Sequence, residues 1–420
     1  MKPIGTSGAV FHGGYLYAEE TNAQLNNQDS RYKIYADILS NTSIVSAGVR
    51  YFLNLVSKAD WNFEASELDR DGKYAELAEE ILTSDPATPW HRIVRRAAMY
   101  RFYGYSIQEW TAKRRPDGWL TYDDIAPRPQ KTIYRWEVDP YGNVLGAYQT
   151  NPENNQEVLL PRNRILYLVD DALSNTPEGM GVFRHLVSSA QRLARYEQLE
   201  GFGFETDLRG IPIGRAPFTD LAEKVKNGII TPEQRSAMEA PLRSFIQNHI
   251  KSAKIGILLD SLAYESQDDS AIASNIRQWD IEVMKGSATS FAENAAAILR
   301  LNQEIARVLG VEQLLLGEGN AGSYALSRDK TSSFFLMVDS ALTEIKEAVT
   351  DDLLTNIWKL NGWDDKMKPV IRPEGLRYMD VSEVTTALRD MGLAGAVLAP
   401  DDPVIRDVRA MMGVSVPNEY

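Results

Sequence analysis

The sequence predicts an α+β protein, in which a block of short strands is preceded and followed by helices. Apolar residues recur at intervals of three and four over residues 43–58 and 291–309, which is the period of an amphipathic helix. Residues 105–169 instead contain short runs of β-branched and aromatic residues separated by turns. Residues 323–361 contain neither glycine nor proline, so a single helix of about 58 Å can form there.

The N-terminal part of the chain combines a polar segment with the first predicted elements. Residues 1–30 are rich in Gly, Asn and Gln and show no apolar period, which predicts an extended arm that lies on a neighbouring molecule. The first amphipathic helix is followed by alternating apolar residues at 61–65, which predict a strand. Thr88-Pro89 are expected to cap and begin a helix that ends near Tyr103. The strands of the block are predicted at Tyr105–Trp110, Trp119–Tyr122, Tyr134–Val138, Val144–Tyr148, Glu157–Leu160 and Ile165–Val169.

Helices predominate again after the block, interrupted by a compact insert. In chain order the predicted elements are a helix from Gly179-Met-Gly181 to Phe204, turns at 210–214, a helix at 231–249, a strand at 255–259 with an extended piece near Tyr264, a helix carrying Ile272, Ile276, Trp279 and Val283, and the helix at 291–309, which stops at Gly310. Near the end of the chain, an extended run at 369–372 and short helices at 381–391 and 403–412 are predicted.

The helix predicted over 323–361 is far longer than the average globular helix of about 11 to 12 residues. One face is expected to be buried, and Gly362 is expected to be the C-cap. The apolar residues of that face are Val338, Leu342, Ile345, Val349, Leu353, Ile357 and Leu360. A rod of this length beside a glycine-rich loop indicates a strut that is anchored next to a mobile segment.

Composition excludes several classes of protein. The absence of cysteine excludes disulfides, Cys-ligated zinc, iron–sulfur clusters and thiol nucleophiles. The sequence starts without the apolar core of a signal peptide, and no run approaches the roughly 18 apolar residues of a membrane span. We therefore expect a soluble chain that is made in a reducing cytoplasm and has no membrane partner. The net charge of −13 argues against tight general affinity for DNA, since such proteins neutralise phosphates with clustered cations.

Titratable residues do not form a recognisable catalytic or metal-binding motif. The histidines His12, His91, His185 and His249 are scattered, with no carboxylate or second histidine at ligand spacing. The aspartate pairs that begin at 123, 170, 268, 351, 364 and 401 fit structural positions such as helix caps. We predict no catalytic residue, no bound metal and no cofactor.

Two basic clusters interrupt the acidic composition. The first comprises Arg92, Arg95 and Arg96, and the second is Lys113–Arg115. Arg92 and Arg96 lie one turn apart, opposite the apolar side of their predicted helix. This placement favours a solvated face or a subunit contact over a nucleic-acid site.

A glycine-rich loop follows the helix at 291–309. Its residues are Gly317, Glu318, Gly319, Asn320, Ala321 and Gly322, and its glycines match G-x-G-x-x-G. The loop follows an apolar run at 311–316 and precedes a helix, as a dinucleotide site requires. The match then fails, because the chain continues as one helix with Asp339 inside it, instead of reaching a second parallel strand. An enzyme that uses this loop to bind a nucleotide or dinucleotide is kept as an alternative.

Several short motifs identify a family. With Leu301–Gly310, Ala321–Ala325 and Leu360-Asn-Gly-Trp363, the chain closely resembles the portal proteins of tailed bacteriophages, especially the Mu-like branch. The segment Asp37–Trp61 looks like the opening helix and strand of that family. The segment from Gly179-Met-Gly-Val-Phe183 to Gly210-Ile-Pro212 looks like the part that precedes its clip.

The resemblance covers about residues 31–420 and implies a portal-type fold. Its parts would be an N-terminal arm (1–30), an α+β wing (31–178), a first stem helix (179–205), a small α/β clip (206–268), a second stem segment (270–309), a tunnel loop (310–322), a long wing helix with its return strand (323–376) and a helical crown (380–420). The crown is short compared with that of many relatives.

The resemblance also implies a function. Family members are not enzymes; they form rings of about twelve copies at one capsid vertex, where double-stranded DNA enters during packaging and leaves during infection. The implied partners are further copies of this chain, the terminase large subunit, a head–tail adaptor protein and the major capsid or scaffolding protein. The implied location is the virion, after synthesis in the host cytoplasm. The loop Gly317–Gly322 would line the channel. A non-portal head–tail adaptor ring is a second alternative, although adaptors are usually much shorter.

Overall fold

The chain folds into two compact units, with boundaries after Val187 and after Ile305. The first unit contains the residues outside these boundaries, and the second unit is residues 188–305. The computed structural model describes residues 6, 8–17, 20–209, 211–248, 259–260, 262–263, 276–284, 288–312, 324–374, 386, 389–390 and 392–393. Helices and strands occur in both units, which confirms the mixed helix and strand class.

The helices confirm most of the predicted helical segments. They are α1 (Gln28–Asn41), α2 (Ser43–Val56), α3 (Lys73–Glu79), α4 (Trp90–Ala97), α5 (Tyr100–Tyr103), α6 (Phe183–Arg209), α7 (Phe218–Lys226), α8 (Pro232–Asn248), α9 (Ala288–Val308), α10 (Tyr324–Ala348) and α11 (Thr355–Asn361). The segment predicted as one helix from Thr88-Pro89 to Tyr103 is divided into α4 and α5, and Pro89 occupies the N-cap position without a side-chain cap. The predicted helices at 381–391 and 403–412 fall almost wholly outside the described residues.

Antiparallel pairing joins all the described strands. The strands are β1 (Val10–His12), β2 (Tyr15–Tyr17), β3 (Trp61–Glu64), β4 (Tyr105–Arg114), β5 (Leu120–Arg128), β6 (Ile133–Val138), β7 (Val144–Thr150), β8 (Glu157–Pro161), β9 (Ile165–Val169), β10 (Ile211–Arg215), β11 (Asp280–Met284) and β12 (Val370–Pro373). Two sheets have three strands, in the orders β5-β4-β9 and β6-β7-β8, and the others are the pairs β1–β2, β3–β12 and β10–β11. The six strands predicted between residues 105 and 169 are all present.

The two neighbours of β4 end at different points along it. β9 leaves β4 at the pair Glu109 and Ile165, whereas β5 stays paired until Arg114 and Leu120. Residues 110–114 therefore have a strand neighbour on one side only within the described part of the chain.

Close backbone contacts explain the glycines of the Gly179-Met-Gly181 motif. A Cβ at Gly181 would lie 2.3 Å from the Gly104 nitrogen and 2.3 Å from the Phe102 oxygen. Gly104 and Gly179 both have positive φ, of 104° and 58°, and each faces a backbone oxygen at 2.5 Å or less from its would-be Cβ. Only glycine fits positions where a second backbone approaches this closely. The motif thus fixes the start of α6 against the end of α5.

Aromatic rings fill the space beside this glycine contact. Tyr32 and Tyr35 of α1 pack edge-on against Tyr105 and Phe183, with ring centroids 6.3 and 5.8 Å apart. Tyr103 packs edge-on against Phe183 at 5.0 Å. Edge-to-face pairs at such distances are the favoured aromatic arrangement. The cluster joins α1, α5, β4 and the first turn of α6 into one core.

The long helix is continuous from Tyr324 to Asn361, with a wide π-turn at Val349–Leu354 between α10 and α11. The predicted buried face is correct up to Ile357, but the prediction for Leu360 is wrong, since that side chain is 47% exposed. A π-turn holds one residue more than an α-turn, so the core-facing positions move on by one. Trp358, which the predicted face does not include, is fully buried, whereas the predicted Leu360 is not.

The Leu360-Asn-Gly-Trp363 motif anchors the end of this helix. The Asn361 carboxamide accepts from the Leu120 N–H at 2.7 Å and donates to the Leu120 oxygen at 2.9 Å. Gly362 is the C-cap in the left-handed conformation, as predicted. The Trp363 ring packs edge-on against Trp119 at 5.2 Å. Each residue of the motif after the leucine therefore has a structural role.

The N-terminal residues differ from the predicted extended arm. Residues 10–17 form a hairpin, and Gly14 accepts a hydrogen bond from the Trp136 N–H at 2.8 Å. Glu20 forms an ion pair with Arg184, and Leu25 is fully buried. The segment packs on its own chain, and in each strand of the hairpin the middle side chain, Phe11 or Leu16, is the less exposed one, as the pleat of a strand dictates.

Within the second unit, α6 and α9 form an antiparallel pair. The Ser189 hydroxyl donates to Glu304 at 2.6 Å, and the Phe204 and Phe291 rings stack at 5.1 Å. The Asn294 amide donates to the Tyr196 oxygen between these contacts, at 3.2 Å. These are the segments that the sequence predicts as long helices on either side of the insert.

The insert between these helices is closed at its base by β10 and β11, which pair from Ile211 and Met284 to Arg215 and Asp280. This pairing corrects two predictions, because turns were predicted at 210–214 and a helix through Val283. The spacing of three and four at Ile276, Trp279 and Val283 also permits a strand, and a partner distant in sequence decides the outcome. Helix α8 is present as predicted, whereas the predicted strand at 255–259 lies outside the described residues apart from its last residue.

Candidate functional site

The glycine loop that the sequence predicts as the channel lining, Gly317–Gly322, lies outside the described residues. The structure does describe the chain that leads into it. Gly310 ends α9 with a φ of +74°, and the next residue, Val311, is fully buried. A Cβ at Gly48 of α2 would lie 3.0 Å from Val311. The approach to the loop is therefore fixed in the first unit by close packing.

The structure weakens the dinucleotide alternative for this loop. That fold requires parallel strands on either side of a crossover helix. The chain after the loop is instead continuous helix from Tyr324 to Asn361, and it returns through β12, which pairs antiparallel with β3. Every strand pair of the described residues is antiparallel.

Carboxylates of the same chain pair with two of the three residues of the second basic cluster. Arg115 contacts Glu80 at 2.7 Å, Asp85 at 2.8 Å and Asp117 at 3.2 Å. Lys113 lies 3.5 Å from Asp123. Arg114 donates to the Gly118 oxygen at 2.8 Å. The cluster therefore stabilises the turn between β4 and β5.

The first basic cluster lies on α4, whose opposite face is buried. Ile93 and Val94 are inaccessible to solvent, whereas Arg92 and Arg95 are exposed. Arg95 donates to the Asn54 side-chain oxygen at 2.9 Å. In the single chain Arg92 and Arg95 are exposed, which fits both predicted alternatives, a solvated face and a subunit contact.

The π-turn of the long helix holds a buried carboxylate that the sequence suggests only as one of an aspartate pair. Asp352 is 4% exposed, contacts Arg162 at 2.5 Å and accepts from the Tyr167 N–H at 2.9 Å. Burial raises the pKa of Asp352 to about 6, and the Arg162 charge and the Tyr167 hydrogen bond oppose that rise. The contact ties the long helix to the start of β9.

This buried carboxylate predicts a pH dependence. Between pH 6 and the ordinary aspartate value of 3.8, folded Asp352 holds a proton that the unfolded chain has released. Lowering the pH from about 6 to 4 should therefore raise the free energy of unfolding relative to the Asp352→Asn variant, by about 2 kcal/mol. Urea unfolding of both proteins across this range measures the difference.

The exposed neighbour Asp351 supplies the control for this experiment, because Asp351→Asn removes the same charge outside the buried site. A difference between wild type and Asp352→Asn that stays constant from pH 7 to pH 4 would contradict the predicted proton uptake.

The second unit exposes apolar side chains on both of its long helices. Leu199 of α6 is 50% exposed and Leu299 of α9 is 55% exposed. Apolar side chains on adjacent helices mark a contact surface when they lie together on the outside of a protein. The sequence does not distinguish these leucines from core residues, because both fit the helical period.

The described residues contain no group of three or more His, Asp or Glu side chains that could hold a metal ion. Within the same residues, no helix is both long and apolar enough to cross a bilayer.

Comparison with known proteins finds one matching family. The sequence matches the family described as the portal protein of Mu bacteriophage over residues 32–190 and 248–413. No curated protein matches it.

Among solved structures, similar chains come from gene transfer agent particles. One belongs to the "Virion of native gene transfer agent (GTA) particle", with a TM-score of 0.55 and 12% identity over 91% of this chain and 93% of that one. Another belongs to the "Neck of empty GTA particle computed with C6 symmetry", with a TM-score of 0.54 and 13% identity over 91% and 94%. A portal protein of the HK97 phage family from Corynebacterium diphtheriae gives a TM-score of 0.43 and 11% identity over 87% and 97%. The first two show a shared fold over nine tenths of the chain.

Proposed function

This chain belongs to the family of Mu bacteriophage portal proteins, and from this premise we propose that it forms a ring of about twelve copies at one vertex of a viral capsid. Double-stranded DNA passes through the ring during packaging and ejection, and the chain itself performs no catalysis. The observation that carries the proposal is the family match over two long ranges, which contain most of the first unit and about half of the second. The exposed leucines on α6 and α9 fit a contact between subunits. A head-to-tail contact of this kind, repeated around an axis, closes into a ring.

Negative-stain electron microscopy of the purified protein tests this function. We expect rings with a central hole wide enough for a DNA duplex. A compact monomer or dimer at all protein concentrations would contradict the proposal. ATP hydrolysis by the protein alone would contradict the non-enzymatic part.

We also propose that Gly317–Gly322 lines the narrowest part of the channel and contacts DNA weakly through Glu318, Asn320 and the backbone. Its three glycines give the backbone access to both signs of φ, and its one charge repels phosphate. Replacing Gly319 and Gly322 with alanine should leave ring assembly unchanged and reduce DNA packaging or retention. Each alanine restricts φ and stiffens the loop, with an effect on its free energy of roughly 0.5 to 1 kcal/mol where the native φ is negative and more where it is positive.

Complementation of a portal-deficient phage measures packaging by this variant. Ala321→Ser is the matched control, because it alters the same loop without changing backbone freedom. Normal packaging and retention by the double alanine variant would assign the loop the role of a simple connector.

We propose, further, that the insert at residues 206–268 is the clip that binds the terminase large subunit during packaging and the head–tail adaptor afterwards. The insert has its own helices and is closed at its base by β10 and β11. Replacing residues 218–276 with a short Gly-Ser linker keeps the pair Arg215 and Asp280. This variant should fold in its first unit and lose capture of terminase.

Pull-down with tagged terminase measures that loss, and tryptophan fluorescence checks the fold. Seven of the eight tryptophans lie in the first unit. Terminase capture at the wild-type level would refute the assignment of the clip.

A further inference from the structure

A pocket of about 630 Å³ lies in the first unit where β4 continues beyond β9. Residues 110–112 of β4 form one side of the pocket, and Asn163 and Arg164, just before β9, form another. The last turns of the long helix complete it with Lys359 and Leu360. All of the described lining residues belong to the first unit.

The strand edge in this pocket is open. Because β9 leaves β4 at Glu109, the main chain of residues 110–114 lacks a strand neighbour on the side away from β5 within the described structure. An open edge of this kind accepts an extended segment as an additional strand. Thr111 and Ala112, which lie on this edge, line the pocket.

The charge of the pocket is positive and uncompensated. Arg164 and Lys359 form no ion pair and no side-chain hydrogen bond with the described residues, although Arg162, two positions earlier, is held by Asp352. Among the residues that the structure describes, no aspartate or glutamate lines the pocket. Two cations that face one pocket without a carboxylate among its described lining residues match an acidic ligand.

The pocket also offers an apolar surface. Leu360 is 47% exposed because the π-turn moves it out of the core pattern. The Trp110 side chain, which is only 6% exposed, also lines the pocket.

We propose that this pocket binds an extended acidic segment of a partner protein. The segment pairs with the open edge of β4, and its carboxylates contact Arg164 and Lys359. An apolar side chain of the segment packs on Leu360. A nucleic-acid phosphate could use the two cations but neither the strand edge nor the apolar surface, so the pocket favours a peptide.

Binding of short fluorescent peptides to the full chain tests the proposal. The probe is a pool of peptides in which Glu alternates with Val, Leu or Phe, and its comparison pool has Gln at each Glu position. Fluorescence anisotropy should show binding of the Glu pool. The affinity of the Gln pool should be lower by about tenfold or more. Hydrogen exchange should show protection of residues 110–114 when the Glu pool is bound.

Matched variants assign the binding to this pocket. Arg164→Gln with Lys359→Gln should weaken binding of the Glu pool about tenfold or more, whereas Lys58→Gln with Arg92→Gln removes two exposed cations elsewhere and should not. Leu360→Ser should weaken it, whereas Leu336→Ser, at a 69% exposed position of the same long helix, should not.

Several outcomes would overturn the proposal. They are no binding of the Glu pool, equal binding of the Gln pool, unchanged binding by the pocket variants, and no protection of 110–114. Displacement of the peptides by a single-stranded oligonucleotide at lower concentration would assign the pocket to phosphate instead. These readouts do not require a ring, so they can fail or succeed independently of the proposed portal function.

Discussion

Replacing Gly181 with alanine is expected to lower the free energy of unfolding of the first unit by about 3 kcal/mol or more. The new Cβ would lie 2.3 Å from the Gly104 nitrogen and the Phe102 oxygen, and real contacts are never this short. The backbone on both sides of this contact is held by hydrogen bonds. The Gly104 N–H donates to the Tyr100 oxygen at 2.7 Å, and the Val182 N–H donates to the Arg101 oxygen at 2.9 Å. The strain cannot be relieved by turning a side chain, so the start of α6 must separate from α5.

Gly118→Ala provides the control, because Gly118 has a φ of +93° but open space around its would-be Cβ. Its cost should be about 1 to 2 kcal/mol, from backbone conformation alone. Urea unfolding followed by tryptophan fluorescence compares the two variants. A smaller loss for Gly181→Ala than for Gly118→Ala would show that the backbones can move apart at little cost.

Introducing glutamate at Leu199 and Leu299 together is expected to abolish assembly of the proposed ring. Both leucines are about half exposed on the helix pair of the second unit, and burying them between copies would then bury two carboxylates. An unpaired charge in an interface costs several kcal/mol, and every interface of a ring contains the same change. Sedimentation velocity and negative-stain images should show small species in place of rings.

Leu68→Glu is the matched control, because Leu68 is 55% exposed in a turn of the first unit, outside the helix pair. It should assemble as the wild type does. Rings formed by the Leu199 and Leu299 double variant would move the subunit contact to another surface, without contradicting the family membership.

Local sequence patterns were sufficient to predict much of the secondary structure of the first unit. The strands between residues 105 and 169 could be predicted because alternation and turn residues are properties of neighbouring positions. The long helix could be predicted because 323–361 contain no glycine or proline. The strand β11 could not, since its partner β10 lies about seventy residues earlier and the local spacing fits a helix equally well.

The same distinction applies to the candidate sites. Asp352 is one of many aspartates in the sequence, and only the fold brings Arg162 and Tyr167 against it. The pocket beside β4 joins Trp110, Arg164 and Lys359, which no short motif connects. The loop Gly317–Gly322, the proposed channel lining, shows the opposite case, because its glycines are evident in the sequence and its geometry lies outside the described residues.

The π-turn at Val349–Leu354 has an evolutionary consequence. The π-turn holds one residue more than an α-helical turn. The insertion of a single codon produces such a turn when the helix segments on either side keep their positions. Homologous genes that lack this codon should encode an uninterrupted helix, with the core pattern running straight through to the position of Leu360. In those lineages the buried carboxylate at Asp352 should be absent as well, because an ordinary helix would not turn it towards Arg162.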